Sequence, residues 1–433
     1  MKLISTGLTI LLFAATTSVF AEVTAYRGAT IHPVSAPPVS NGVLIVDGGQ
    51  ILAVGSAQTT SIPAGAKVID VSGRVIIPGL VDTHSHLGGP SGGDRSDPLA
   101  PEARSLDAID VHSKGFWRAR SGGITTVNVM PGSGLLMSGQ TTYLKIRKSP
   151  RQVEDWLFCE NSITDICGSM KMANGTNPIK EKPFPGTRAR SAALQRKLFV
   201  DAQNYLDKIQ KAEAADKPAP PRDLRLEAVA QVLNGDRRVQ FHSHRHNDIM
   251  TVIRLAREFD VSPVIQHGTD SWKVADEIAA AGLAVSLTLV EAPGGKEEVM
   301  GLNMEAARIL HDAGVDVSLN TDDGVLDSRL LLRYAALAVR YGLPEDVALE
   351  AVTLAGARAL ALDHRVGSLE KGKDADFVVL SGKPFSTYSR VEQTWVEGEL
   401  IYDASNPAHR KFATGGMDTY DTSFHESHGD AAQ

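Results

Sequence analysis

Two histidines stand two residues apart, His84 and His86, where the apolar run VIIPGLVDTHSH ends. On an extended strand residues two apart face the same side, so both imidazoles can reach one ion. A single such pair also fits two surface histidines at a turn. The pattern recurs, however: QFHSHRHND places His242 and His244 at the end of another run, VIQHG places His267, and SLNTDDG places Asp322. A histidine accommodated in a core accounts for one of these endings, not for four. Imidazole and carboxylate donors in this mixture suit zinc first and other first-row divalent ions next. Such an ion can bring the pKa of a bound water to about 7 and polarise a carbonyl. Asp322 is the natural group to take the proton of that water and hand it to a leaving amine, and the chemistry that follows is amide hydrolysis.

The elements that must position these groups alternate strand with helix. Candidate strands are VIIPGLVDTHSH, ITTVNVM, TYLKI, CGSMKM, RVQFHSH, SPVIQHG, LAVSLTL and VDVSLNTD, with helical patterns such as DIMTVIRLAREF and NMEAARILHDAG between several of them. Eight such units predict an α/β protein with a TIM-type (β/α)8 barrel, whose active site gathers at the C-terminal strand ends. Before and after this region the style is strand and tight turn: VTAYRGATIHPV and GVLIVDGGQILAVG at the start, VGSLEKGKDADFVVL and VEQTWVEGELIYD near the end. Residues 187–223 are charged and helix-prone and close in DKPAPPRD, which predicts a surface excursion with a stiff turn. Residues from about 405 onward, within a polar C-terminal segment of 404–433, are expected to be loose. The glycine-rich stretch GGPSGGDRSD after His86 lacks the spacing of a phosphate loop and reads either as a flap or as a long turn. His112 and His311 fall in helical patterns and are not read as ligands.

A formal charge of -7 argues against nucleic acid as a partner; a small molecule or dipeptide is the expected one, and a homo-oligomer is left open. Residues 1–21 read as a signal peptide, with Lys2, an apolar stretch from Leu8 to Phe13 and Val19-Phe20-Ala21 as a cleavage site. The apolar stretch is too short to span a bilayer, so the expected product is exported, periplasmic or secreted, with no membrane association after removal of the leader. Outside the cytosol Cys159 and Cys167 are free to pair; two separate thiols fit the sequence equally well.

Taken in order, VIIPGLVDTHSHLG, FHSHRHNDI, IQHGT, NTDDG and VGSLEKGKDADFVVL resemble the amidohydrolase superfamily over nearly all the chain after the leader. Within it the chain is most similar to the imidazolonepropionase-related branch, which includes exported Xaa-Pro and Xaa-Arg dipeptidases. The resemblance implies a barrel over 79–364 flanked by a small β-sandwich made of residues 22–78 and 365–403. It implies one or two divalent ions, with His84, His86, His242, His267 and Asp322 as ligands and Asp322 as proton shuttle. Two-metal members carry a bridging carboxylated lysine on the fourth strand, and Lys171 in SMKMANG stands at about that place; the alternatives are a substrate contact or a surface charge. The family pattern aligns with His242 as ligand and leaves His244 for the substrate or its tetrahedral intermediate. Arg245 and His246 are candidates for a substrate carboxylate, and Tyr143 or Gln140 for a place beside the pocket. The function implied is hydrolysis of an amide or peptide bond, with a cyclic-amide hydrolase as the alternative. A non-catalytic metal or ligand binder is the reading from another class. Deamination is weakened by the absence of a glutamate after His242 in HSHRHNDIM.

Overall fold

Apolar residues at every position of a short run build a strand buried on both faces, and β2 shows this at the start of the chain. The computed structural model of the protein describes residues 23–89, 96–289 and 296–421. The expected leader, residues 90–95 of the glycine-rich stretch and the last part of the C-terminal segment lie outside the described residues. Five strands come first: β1 (Thr24–Ile31), β2 (Val39–Asp47), β3 (Gln50–Ser56), β4 (Lys67–Asp70) and β5 (Val75–Pro78). Val43 and Ile45 of β2 pack with Ala25, while Leu44 and Val46 pack with Tyr26 and Ile76 in a separate cluster. Between β2 and β3 the chain reverses at Gly48 and Gly49, whose φ values of 56° and 84° are those a tight hairpin demands and L side chains resist.

At Gly79 the chain passes from β5 into β6 (Leu80–Ser85). A Cβ at Gly79 would meet Thr125 at 2.2 Å, and its N–H donates to the Asp376 carbonyl at 2.9 Å. The run VIIPGLVDTHSH, expected to be one strand, is therefore two strands in two different sheets. There follow β7 (Ile124–Val129), β8 (Met137–Gln140), β9 (Thr142–Lys145), β10 (Met170–Ala173), β11 (Val239–Ser243), β12 (Pro263–His267), β13 (Val285–Leu287) and β14 (Val317–Leu319). β6 pairs with β7 in parallel, and β10 to β14 pair in parallel in unbroken order.

TYLKI departs from expectation. It forms β9, which runs antiparallel to β7, and β8 runs antiparallel to β10, with Thr141 joining the two. Residues 130–141, which also contain β8, leave no room for the helical crossover of a dozen or more residues that a parallel third strand requires. The three-stranded and six-stranded sheets thus meet at Thr141, and again at a parallel bridge between Ser85 and Asp323.

Helices α1 (Lys114–Ser121), α2 (Arg188–Ala214), α3 (Leu224–Leu233), α4 (His246–Phe259), α5 (Ala275–Ala280), α6 (Ala306–Asp312), α7 (Leu331–Arg340), α8 (Glu345–Ala351) and α9 (Leu354–Ala359) separate or follow these strands. In α4, Ile249, Val252, Ile253 and Ala256 recur at helical spacing and are buried in the main core. The excursion expected at 187–223 is more than surface. Ala192, Leu198 and Phe199 of α2 are buried, and the Gln195 side chain donates to the Leu136 and Ala173 carbonyls at 3.1 and 3.0 Å. Among the described residues no helix is long and apolar enough to cross a membrane.

The chain ends by returning to its first sheet. β15 (Phe377–Leu380), β16 (Val391–Val396) and β17 (Glu399–Asp403) extend it, β15 lying antiparallel to β5 with Phe377 opposite Pro78. The result is one eight-stranded sheet, ordered β17-β16-β15-β5-β1-β2-β3 with β4 beside β1. Lys145 of β9, fully buried, fastens the neighbouring sheet to this one: its Nζ reaches Asp374, Asp376 at 3.0 Å and Glu397 at 3.5 Å. The described part of the C-terminal segment, residues 404–421, is more ordered than its composition implies. Asn406 caps α10 (Pro407–Thr414) by accepting from the Ala408 N–H at 3.0 Å, Pro407 fits the first turn, and Phe412 stacks on Trp117 at 5.6 Å. Cys159 and Cys167, left open above, are joined in a disulfide.

Candidate metal centre

β6, β10, β11, β12 and β14 point their C-terminal ends toward one place, and the polar side chains on those ends meet there. His84 is the last but one residue of β6, and His86 follows the strand. Lys171 lies inside β10, His242 on β11 with His244 just beyond, His267 at the end of β12, and Asp322 three residues after β14. His267 and Asp322 have φ of 69° and 48°, left-handed values that a bulky non-glycine residue holds only when its surroundings fix it; such residues gather at functional sites.

Asp322 contacts three rings: its carboxylate is 3.4 Å from His84 Nε2, 3.1 Å from His86 Nε2 and 3.6 Å from His267 Nδ1. Lys171 Nζ lies 3.1 Å from His84 Nε2. The ligating atoms of His84, His267 and Asp322 all fall within 4.8 Å of one another, and so do those of His242, His244 and His267. His267 belongs to both groups, so the geometry offers two adjacent positions for an ion.

In four of the five rings Nδ1 is occupied. His84 Nδ1 faces Gln266 Oε1 at 3.2 Å, His86 Nδ1 the Met130 carbonyl at 2.7 Å, His244 Nδ1 the Thr269 hydroxyl at 2.8 Å and His267 Nδ1 the Thr288 hydroxyl at 3.0 Å. Outer partners of this kind fix the ring and its tautomer and leave Nε2 for a metal. His242 is buried with neither ring nitrogen bonded, and His267 Nε2 is likewise unpartnered. Burying such groups unpaired costs about 1–3 kcal/mol each, a cost that coordination removes. The donors fit a divalent cation.

Electrostatics prepare the same state. Burial holds His84, His242 and His267 well below the ordinary histidine range, with neighbouring cations and rings adding to it, so they are neutral and ready to ligate. Burial likewise brings Lys171 down to about 7, aided by Lys296 and opposed by Asp322. For Asp322 burial pushes the carboxyl up, but His84, His86 and Lys171 outweigh it and hold the group below its ordinary range.

Of the residues singled out from sequence, the structure brings together His84, His86, Lys171, His242, His244, His267 and Asp322. Arg245 is half-buried one residue beyond His244, at the N-cap of α4, and His246 is exposed beside Asp270 at 3.4 Å. Tyr143 is not brought to the centre. Because β9 runs antiparallel, Tyr143 sits among Val81, Leu360 and Val366 with its hydroxyl on Ser169, a layer below the ligands. Gln140 pairs with Arg237 at 3.0 Å instead.

Three groups went unread. Asp82, fully buried and pushed up to about 7 chiefly by burial, accepts from Thr321 N at 3.1 Å, Thr321 Oγ1 at 2.5 Å and His84 N at 3.3 Å, joining the two strands that carry His84 and Asp322. Its position two before His84, on the same face, was the available signal. Lys296 reaches His244 Nε2 at 3.1 Å and Glu298 at 2.7 Å, and Glu298 is buried. Nothing in the local sequence marks that pair, since no apolar run ends there.

Comparison with known proteins agrees with this geometry. Residues 75–402 match the model of the amidohydrolase family. The amidohydrolase tasK of Hapsidospora irregularis is 27% identical over 391 residues, covering 84% of this chain; the chain spans only 40% of that relative's length. An imidazolonepropionase of Alkaliphilus metalliredigens is 26% identical over 415 residues, covering 84% of this chain and 91% of its own. The solved amidohydrolase from Thermotoga maritima MSB8 superposes with a TM-score of 0.82 at 32% identity, covering 88% of this chain and all of that one. Solved prolidases and a Xaa-Pro dipeptidase share the fold alone, at 17–18% identity. With most of its length matched by the family model, the chain belongs to the amidohydrolase family, hydrolases acting on carbon–nitrogen bonds.

Proposed function

We propose that this protein hydrolyses an amide bond in a small carboxylate-bearing substrate, a dipeptide first and a cyclic amide second. The observation that carries the reading is the convergence of five imidazoles, Lys171 and Asp322 on one buried space, with His242 unpartnered at both nitrogens. His84, His86, His242, His267 and Asp322 would hold one or two divalent ions, zinc first, and a carboxylated Lys171 would join that ligand set where two are held. When bound, such an ion lowers the pKa of water and polarises a carbonyl. Asp322, kept ionised by the rings around it, takes the proton of the attacking water and delivers it to the departing nitrogen. His244, steadied by Thr269, faces the developing oxyanion. Lys296 and Arg245 are the cations a substrate carboxylate would meet.

The same reading closes the three-stranded and six-stranded sheets into one barrel over 79–364 and makes 22–78 with 365–403 a small flanking β-sandwich; the joints at Thr141 and Ser85–Asp323 support the first part. Export follows from the leader-like residues 1–21 and is supported by the disulfide. The decisive experiment is elemental analysis of the purified protein combined with a panel of Xaa-Pro, Xaa-Arg and other dipeptides and cyclic imides. Hydrolysis by the metal-loaded protein, abolished in a folded Asp322→Asn variant, is the expected result. No cleavage anywhere in the panel, or full activity in Asp322→Asn, would overturn it.

A further inference from the structure

Residues 419–421, within the segment expected to be loose, make polar contacts beside the loop that bears Asp322. Arg118 of α1 is only 3% exposed. Its guanidinium donates to the Thr419 carbonyl at 2.9 Å, lies 4.3 Å from the centre of the Tyr420 ring and pairs with Asp323 at 3.5 Å. Asp323 is the residue next to Asp322, and its other oxygen accepts from the Ser328 N–H at 2.8 Å. On the far side of the same loop the Tyr420 hydroxyl donates to Asp327 at 2.9 Å and accepts from Arg329 at 3.0 Å. Asp421 ties the segment down, accepting from the Ser113 hydroxyl at 2.6 Å and the Lys114 N–H at 3.1 Å at the start of α1.

From these contacts we infer that Thr419–Asp421 is a strap that positions Asp322, acting through Arg118 and Asp323 on one side and Asp327 and Arg329 on the other. The inference rests on the proposed role of Asp322. Asp322 sits at φ 48°, a conformation that persists only when its neighbours over-determine it. Asp323 is 4% exposed, and a carboxylate buried that deeply stays in place only while its cation is held beside it. The strap does the holding: the Thr419 carbonyl and the Tyr420 ring aim Arg118 at Asp323. Gly122, at the end of α1, completes the clamp, since a Cβ there would meet Arg329 Cα at 2.7 Å. If Arg118 swings away, Asp323 loses its cation, the loop relaxes, and the Asp322 carboxylate leaves its place 3.1 Å from His86.

The test uses the full zinc-loaded chain as wild type, Tyr420→Ala, Tyr420→Phe and Asp322→Asn. Displacing a catalytic group by an ångström costs one to two orders of magnitude, so Tyr420→Ala should lower kcat about tenfold or more. KM should change by less than about twofold, because the strap does not touch the substrate, and zinc content should be largely kept, because His84, His86, His242 and His267 stay in place. Tyr420→Phe keeps the ring over Arg118 and should restore most of kcat. Independently of any substrate, amides of residues 323–328 should exchange with deuterium about tenfold faster in Tyr420→Ala, while those of β11 and β12 do not change. Unchanged exchange and kcat in Tyr420→Ala, or a decline only in step with zinc loss or with global exchange, overturns the strap. Activity surviving in Asp322→Asn overturns the role of Asp322 instead, so the two failures are distinguishable.

Discussion

Replacing Lys145 by methionine removes a buried ammonium while keeping most of its packing volume. Three carboxylates face that ammonium, but they do not lose equally. Asp374 keeps Arg365 at 2.8 Å, and Glu397 keeps Arg147 at 2.7 Å. Asp376, 4% exposed, keeps only the Glu397 N–H at 2.8 Å on its other oxygen. Breaking a buried pair costs about 3–5 kcal/mol, and with one carboxylate stranded rather than three the lower end applies, about 3 kcal/mol. For a chain of this size that corresponds to a fall in Tm of about 3–4 °C. The loss also depends on pH. Burial already raises the Asp376 carboxyl, with Lys145 opposing it; without Lys145 it rises further. An acid whose folded pKa lies above its unfolded value gives stability that is full at low pH and lost as pH rises through the folded pKa. The defect should therefore be smaller at an acid pH than at a mildly alkaline one. Thermal melts of wild type, Lys145→Met and Lys145→Met/Asp376→Asn at both pH values test this. A single variant melting within about 1 °C of wild type at the higher pH, or a double variant no better than the single, would refute the reasoning.

Two more outcomes follow from the centre. Lys171→Ala should reduce bound zinc from two ions to one or none, read by elemental analysis of protein dialysed against trace metal; unchanged content removes Lys171 from the ligand set. Lys296→Met should raise KM for a cleaved free-acid dipeptide by about tenfold or more, the worth of a charge-assisted hydrogen bond. The same dipeptide with an amidated C-terminus should be unaffected, and equal effects on both would place Lys296 outside carboxylate recognition.

Histidines and an aspartate at abrupt strand ends are legible because period two fixes their side of the strand and the strand end fixes their depth. Hence His84, His86, His242, His267 and Asp322 could be read without coordinates. Lys171 was readable only through the family resemblance. Lys296, Glu298, Arg118 and Thr419 were not readable at all, because their roles come from contacts between segments far apart in sequence. TYLKI has the composition of any inner strand, and only the length of its connection sets its direction; that is why Tyr143 was expected at the pocket and stands below it. Residues 404–421 misled for a related reason: polar, glycine-rich composition describes what a segment lacks in apolar surface, not the hydrogen bonds waiting for it elsewhere.

The pairing of β5 with β15 has a consequence in time. β5 hydrogen-bonds β1 on one edge and β15 on the other, and about 300 residues separate Pro78 from Phe377. At synthesis rates of about 5–20 residues per second, the first half-sheet is made roughly 15 to 60 seconds before the strand that covers its edge exists. β1, β2 and β3 can zip together locally during that interval, but the open edge at Val75–Pro78 is a template for any other extended chain. Completing the sheet is therefore a late, long-range event in the life of each molecule, and it falls after the intervening strands have had time to assemble. A chain released early, before Phe377, would carry the ligand residues His84 to Asp322 and still have an unfinished floor.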